Sequence, residues 1–198
     1  MGLTGDFGSG KTTTAQFFRQ KGAHVLSADQ LAHEVLEKKN RFYPKISLLF
    51  PELKGNLTRA GIAEIVFREP ARRRKLECLV HPYVLERLKE KAQSTRKPVV
   101  VVEVPLLFES GFDRYSDINV VVKTPREKIL KRLTQHGYSE QEIKARWRVQ
   151  MPTREKIKRA DYVIDNSKGA KSAQKQVAQV WEKIERSLAT HGKRKRKQ

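Results

Sequence analysis

Residues Gly5-Asp6-Phe7-Gly8-Ser9-Gly10-Lys11-Thr12 match the spacing G-x-x-x-x-G-K-[ST], and no other stretch of this chain restricts its fold as tightly. Glycines at these intervals let successive backbone N–H groups turn inward and cradle phosphates. Such a P-loop needs a strand before it and a helix after it. Thr13-Thr14-Ala15-Gln16-Phe17-Phe18-Arg19 reads as the helix, with its positive end toward the phosphates. Met1-Gly2-Leu3-Thr4 reads as a short first strand, where about five residues are usual. Within the motif Lys11 would reach the β- and γ-phosphates of a nucleotide, and the Thr12 hydroxyl would bind Mg²⁺.

The rest of the chain alternates in the way such a loop demands. Ala23–Ser27 reads as a strand, and a helix opens at Asp29. From about residue 40 to 96 the apolar spacing is helical, with clusters at Ile46-Leu48-Leu49-Phe50 and Ile62-Ile65-Val66-Phe67. Thr58 is a plausible cap for the second cluster, and a third runs from Leu76 to Leu88 despite Pro82. Pro98–Val104 is a continuous β-branched run, as expected of a strand covered on both faces. Ile118–Val122 and Tyr162–Asp165 are two more strands, with helices at 125–136, 139–150 and about 170–188. The expected class is α/β: a five-stranded parallel sheet with right-handed crossovers, flanked by helices. Ligands in such sheets bind beyond the carboxyl ends of the strands.

Composition narrows the chemistry. The 198 residues suit one domain with a small insert. A single cysteine, Cys78, excludes an internal disulfide framework and a cysteine-rich metal site, and reads as a helix-packing residue. No signal peptide and no 18-residue apolar run is seen, so a cytoplasmic protein without a membrane segment is expected. Lys and Arg total 42 against 22 Asp and Glu, a net charge of +20. A polyanionic small molecule or a nucleic acid would explain that balance. The basic end, 191–198, reads as a disordered tail.

Four groups of residues can do chemistry at the rim where the strands end. Asp29, two residues past the second strand, is the candidate base: an acceptor hydroxyl needs orientation and a place for its proton. The alternative is that Asp29 merely caps its helix. Glu103, near the end of the third strand, can hold Mg²⁺ through water, or else serve in an ordinary hydrogen bond. Arg132 and Arg146 are the candidates for stabilising charge on a phosphoryl group in transfer, whereas Arg126, beside Pro125, reads as a surface residue. Asp165-Asn166 close the last strand.

With these residues in view, the sequence resembles the dephospho-CoA kinases. The resemblance runs from Gly2 to about Ser167. It is carried by Gly2-Leu3-Thr4-Gly5 leading into the P-loop, Ala28-Asp29 with Ala32-His33-Glu34-Val35, and Leu57-Thr58-Arg59. Leu79-Val80-His81-Pro82, Val104-Pro105-Leu106-Leu107-Phe108-Glu109, Arg146 with Gln150-Met151, and Ala160 to Ser167 complete it. It implies a P-loop kinase core at 1–29 and 96–190 with a lid near 125–155, and a helical acceptor domain at 30–95. It implies transfer of the ATP γ-phosphate, with Mg²⁺, to the ribose 3′-hydroxyl of dephospho-CoA, giving CoA and ADP.

By the same resemblance Asp29 and Lys11 join Arg146 and Arg132 in catalysis. Gly8, Ser9, Gly10, Lys11, Thr12 and Thr13 form the ATP loop, and Asn166 lines the adenine side. Arg59 and His81 serve the acceptor domain, although His-Pro can also simply shape a helix. No specific nucleic acid is expected as a partner, and the enzyme is expected to be a monomer. The family usually has glycine where this chain has Asp6, and often Asp where it has Ser27. The competing readings are another small-molecule P-loop kinase, of the nucleoside monophosphate type, and a nucleic-acid-binding NTPase. The Ala160-to-Asn166 signature speaks against the first, and the lack of an RRM, KH, helix-turn-helix or zinc pattern against the second.

Overall fold

A computed structural model describes residues 1–195, without the side chains of Phe67 and of 191–195. The chain forms two compact units: Met1–Leu26 together with the chain from Lys97 onward, and Ser27–Arg96. In chain order the elements are β1 (Gly2–Gly5), α1 (Lys11–Gln20), β2 (His24–Ser27), α2 (Ala28–His33), α3 (Tyr43–Leu49), α4 (Arg59–Arg68) and α5 (Pro70–Ser94). They continue as β3 (Val100–Glu103), β4 (Asn119–Lys123), α6 (Arg126–Gln135), α7 (Glu140–Arg148), α8 (Thr153–Lys158), β5 (Tyr162–Asp165) and α9 (Ala170–Lys195).

The sheet has five strands in the order β2-β3-β1-β4-β5. β1 is central despite its four residues. It pairs in parallel with β4 from Gly2↔Asn119 to Gly5↔Val122 and with β3 at Gly2↔Val102 and Leu3↔Glu103. All of β1 is buried, so covered faces rather than length secure it. The core of this unit joins Leu3, Val101, Val120, Val122 and Ile164 of the sheet to Phe18 of α1 and to Val177 and Trp181 of α9. A satellite core of Ile129, Ile143 and Trp147 ties α6 to α7, and Phe7 of the P-loop packs onto it. α7 is sharply started by a capping box between Ser139 and Glu142.

The second unit is helical. Ala28, Leu31, Val35, Ile46, Phe50, Leu57, Ile62, Tyr83 and Val84, from four helices and their connections, are buried in it. α5 runs unbroken through Pro82. Cys78 is exposed on α5, contrary to its reading as a packing residue. Its position falls off the helical stripe that Leu76, Leu79, Val80 and Tyr83 direct inward. α9 runs on through Lys195, into the stretch read as a tail from His191; 196–198 lie outside the described residues.

Candidate active site

The P-loop follows β1 at the carboxyl edge of the sheet and feeds α1. Two glycines show why the motif is restrictive. A Cβ on Gly5 would stand 2.3 Å from the Val122 carbonyl oxygen of the neighbouring strand. Gly10, the cap of α1, has φ 96°, and a Cβ there would stand 2.3 Å from the Asn166 side chain. No acidic residue occupies the first turn of α1, so its positive end is left for an anion.

Lys11 is buried, and its ammonium donates to the carbonyls of Gly5 at 3.2 Å and Asp6 at 3.1 Å. The Ser9 N–H donates to the Asp6 carbonyl, closing the loop. The Ser9 carbonyl accepts from Thr124 Oγ1 and from Asn166 Nδ2, both at 2.9 Å. Asn166 therefore braces the P-loop directly. Its neighbour Asp165 is pushed up by burial, but the Ser167 hydroxyl and N–H and the Lys123 ammonium outweigh this and bring it to about 2.

Thr12 and Glu103 come together: the Thr12 hydroxyl donates to Glu103 Oε1 at 2.9 Å across the edge of β3. An exposed oxygen pair beside a phosphate cradle is the donor set a hard divalent cation takes, with phosphate and water oxygens completing it. Among the described residues no cluster of three or more His, Cys, Asp or Glu could hold a metal without a nucleotide.

The helices after β4 grip the P-loop from the other side. Arg132 donates to the Gly8 carbonyl. The Phe7 N–H donates to Gln150 Oε1 at 2.8 Å, and the Phe7 carbonyl accepts from Trp147 Nε1 at 3.1 Å. Arg146 stacks on the Phe7 ring. Asp6 turns its carboxylate away from the cradle, where Thr153 Oγ1 donates to Oδ2 at 2.6 Å and Arg126 Nε approaches to 3.3 Å. The charge that would oppose phosphate is thus spent on contacts with α6 and α8. Arg126 is exposed, as read from the sequence, and from that surface position its guanidinium joins this cluster and covers the Trp147 ring. Spacing could not find it, because its partner lies 120 residues away in the chain. Gln150, whose Nε2 also donates to the Pro105 carbonyl, is marked in the sequence by the family resemblance alone.

On α8, Lys156 is fully buried and pairs with Glu109 Oε1 at 3.1 Å, off the line of a hydrogen bond. The same oxygen accepts from the Met151 N–H.

In the helical unit Asp29 is exposed on the first turn of α2. The cap is Ser27, whose hydroxyl accepts from the Gln30 N–H at 3.3 Å. Asp29 is therefore not the capping residue, which removes that alternative reading of it. Arg59 opens α4 and is exposed, with Thr58 as the cap accepting from Gly61. His81 is half-buried in mid-α5. A groove of about 590 Å³ in this unit is lined by Glu34, Asn40, Arg41, Tyr83, Glu86 and Arg87 among others, and neither Arg59 nor His81 lines it. Its wall is set by Glu34, which accepts from Tyr83 Oη at 2.6 Å and Arg87 Nε at 3.0 Å. Burial raises the Glu34 carboxyl, yet these two donors leave it below the usual carboxylate range.

The dephospho-CoA kinase family profile matches residues 1–172. Dephospho-CoA kinase from Aquifex aeolicus (strain VF5) is 37% identical over 191 residues, spanning 94% of this chain and 97% of that one. The crystal structure of TT1252 from Thermus thermophilus superposes with a TM-score of 0.82 at 37% identity, over 90% of this chain and 93% of that one. Dephospho-CoA kinase from Campylobacter jejuni gives 0.68 at 28% identity, over 94% of this chain and 97% of that one. The nucleoside monophosphate kinase and nucleic-acid NTPase readings give way to this. A P-loop, a five-stranded parallel sheet and a match over most of the chain lead to one conclusion: the chain belongs to the dephospho-CoA kinase family.

Proposed function

We propose that the P-loop unit binds ATP with Mg²⁺ and passes the γ-phosphoryl group to the ribose 3′-hydroxyl of dephospho-CoA, releasing CoA and ADP. The observation that carries the assignment of roles is the cradle itself, with buried Lys11, an open helix N-terminus and the Thr12–Glu103 pair on one rim. The acceptor oxygen forms a bond to the γ-phosphorus, the bond from that phosphorus to the β,γ-bridging oxygen breaks, and the hydroxyl proton passes to the Asp29 carboxylate. Asp29 is exposed, and Ser27 rather than Asp29 caps its helix, which leaves the carboxylate available to an acceptor hydroxyl.

Lys11 neutralises charge on the β- and γ-phosphates from a position already fixed by two carbonyls. Gly8, Ser9, Gly10 and Thr13 line the cradle, and Asn166 holds its shape while facing the nucleotide. Arg132 and Arg146 offset the charge that spreads over the γ-oxygens during transfer. Thr12 and Glu103 would hold Mg²⁺, which when bound screens the phosphates and orients them. Arg59 and His81 serve the acceptor on the helical unit. The enzyme works as a cytoplasmic monomer; among the described residues no helix is long and apolar enough to cross a membrane.

The deciding experiment measures ADP release with ATP·Mg²⁺ and dephospho-CoA, AMP, adenosine or no acceptor. ADP formed only with dephospho-CoA, with CoA identified by mass, is the expected result. ADP formed equally without acceptor would overturn the reading.

A further inference from the structure

Arg146 lies on the exposed side of α7, yet its guanidinium is not loose. The guanidinium carbon stands 4.4 Å from the centroid of the Phe7 ring and 5.8 Å from that of Tyr138. The two rings meet edge to face with centroids 5.6 Å apart. One ring comes from the P-loop and the other from the turn between α6 and α7. The Phe7 backbone is held at both polar groups, by Gln150 and Trp147, and its side chain rests on the Ile129-Ile143-Trp147 core. The ring therefore has a fixed base.

A guanidinium is a flat cation with five N–H donors around its edge and none on its faces. Aromatic rings attract the faces and leave the edge available. Arginine edges bind phosphate oxygens in pairs, so a stacked arginine loses nothing it needs for a phosphoryl group. A long exposed side chain would otherwise have to give up much rotamer freedom at the moment of reaction. Here the stack ties the cation to the same loop that cradles the phosphates, and does so before the substrate arrives.

We propose that Phe7 and Tyr138 are positioning residues that aim the Arg146 guanidinium at the phosphoryl group in transfer. This rests on the role given to Arg146 above. The benefit is realised where charge spreads in the transition state, so its loss falls on kcat more than on the KM for ATP.

The test is steady-state kinetics with ATP and dephospho-CoA for Phe7→Leu, Phe7→Tyr, Tyr138→Leu, Arg146→Ala and the doubles with Arg146→Ala. Leucine keeps apolar volume against Ile129 and removes the aromatic face. Phe7→Leu should lower kcat about tenfold, with KM for ATP within about twofold. Phe7→Tyr should restore the rate. In the Arg146→Ala background Phe7→Leu should cost less than about a further twofold. An equal loss in both backgrounds, or no recovery with tyrosine, overturns the proposal while leaving Arg146 its role. An Arg146→Ala enzyme as fast as wild type removes that role, and the proposal with it. Should Phe7→Leu fail to fold, Tyr138→Leu decides by the same comparison, since Tyr138 is 37% exposed.

Discussion

The buried Asp6 carboxylate lies 3.3 Å from Nε of Arg126, the first residue of α6. The same oxygen accepts from Thr153 at the start of α8, so a P-loop side chain joins α6 and α8. Its other oxygen has no hydrogen-bond partner among the described residues. Asp6→Ala removes both contacts and should destabilise the protein by about 1–3 kcal/mol in urea unfolding. Combined with Arg126→Ala the losses should fall short of their sum by at least about 0.5 kcal/mol. Strict additivity would show that the two groups are neighbours without coupling.

Lys11 is held by the Gly5 and Asp6 carbonyls with its ammonium at the base of the cradle. Lys11→Ala should reduce kcat/KM about 10²- to 10³-fold, as the loss of one aimed donor to developing charge does elsewhere. Unchanged kcat/KM would sink the P-loop assignment.

Asp29→Asn keeps the shape of the side chain and removes its ability to take a proton. Turnover should fall about 10²-fold or more while ATP affinity, measured by calorimetry, holds. A near-normal rate would leave Asp29 as a positioning group only. Because Ser27 supplies the cap of α2, the substitution should leave the melting temperature close to wild type.

The Thr12–Glu103 hydrogen bond predicts a metal phenotype. Glu103→Gln should raise the Mg²⁺ concentration for half-maximal rate about tenfold or more, with a smaller effect at saturating Mg²⁺. Chelation with EDTA should stop turnover in both proteins. An unshifted Mg²⁺ curve would assign Glu103 to hydrogen bonding alone.

Asp165 has a pH signature. Its carboxyl sits near 2 when folded, against about 3.9 unfolded, because Ser167 and Lys123 outweigh the effect of burial. A depressed carboxyl adds stability above its unfolded value and loses it as pH falls through the folded one. Wild type should therefore exceed Asp165→Asn in stability above about pH 4, with the gap closing toward about pH 2. A gap that stays constant over that range would mean the Lys123 and Ser167 contacts do not form.

Much of the fold was legible because its signals are local. The strand–loop–helix of the P-loop, the valine runs of β3 and β4, and the helical stretch between β2 and β3 follow from spacing and side-chain shape alone. So do the places of Lys11 and Thr12 at the start of α1, inside one motif. What the sequence could not settle depends on meetings between distant residues. Four residues make β1 a central strand because β3 and β4 pair with it on both sides. Asp6 is tolerated in a phosphate loop because Arg126 and Thr153 take up its charge. Arg126 is at the surface, as read, but its tie to Asp6 shows only once that partner is placed, and Cys78 reads as packing until α5 turns it outward. Local periodicity records which face of an element is apolar. Only the packed chain brings charges more than a hundred residues apart within hydrogen-bonding distance.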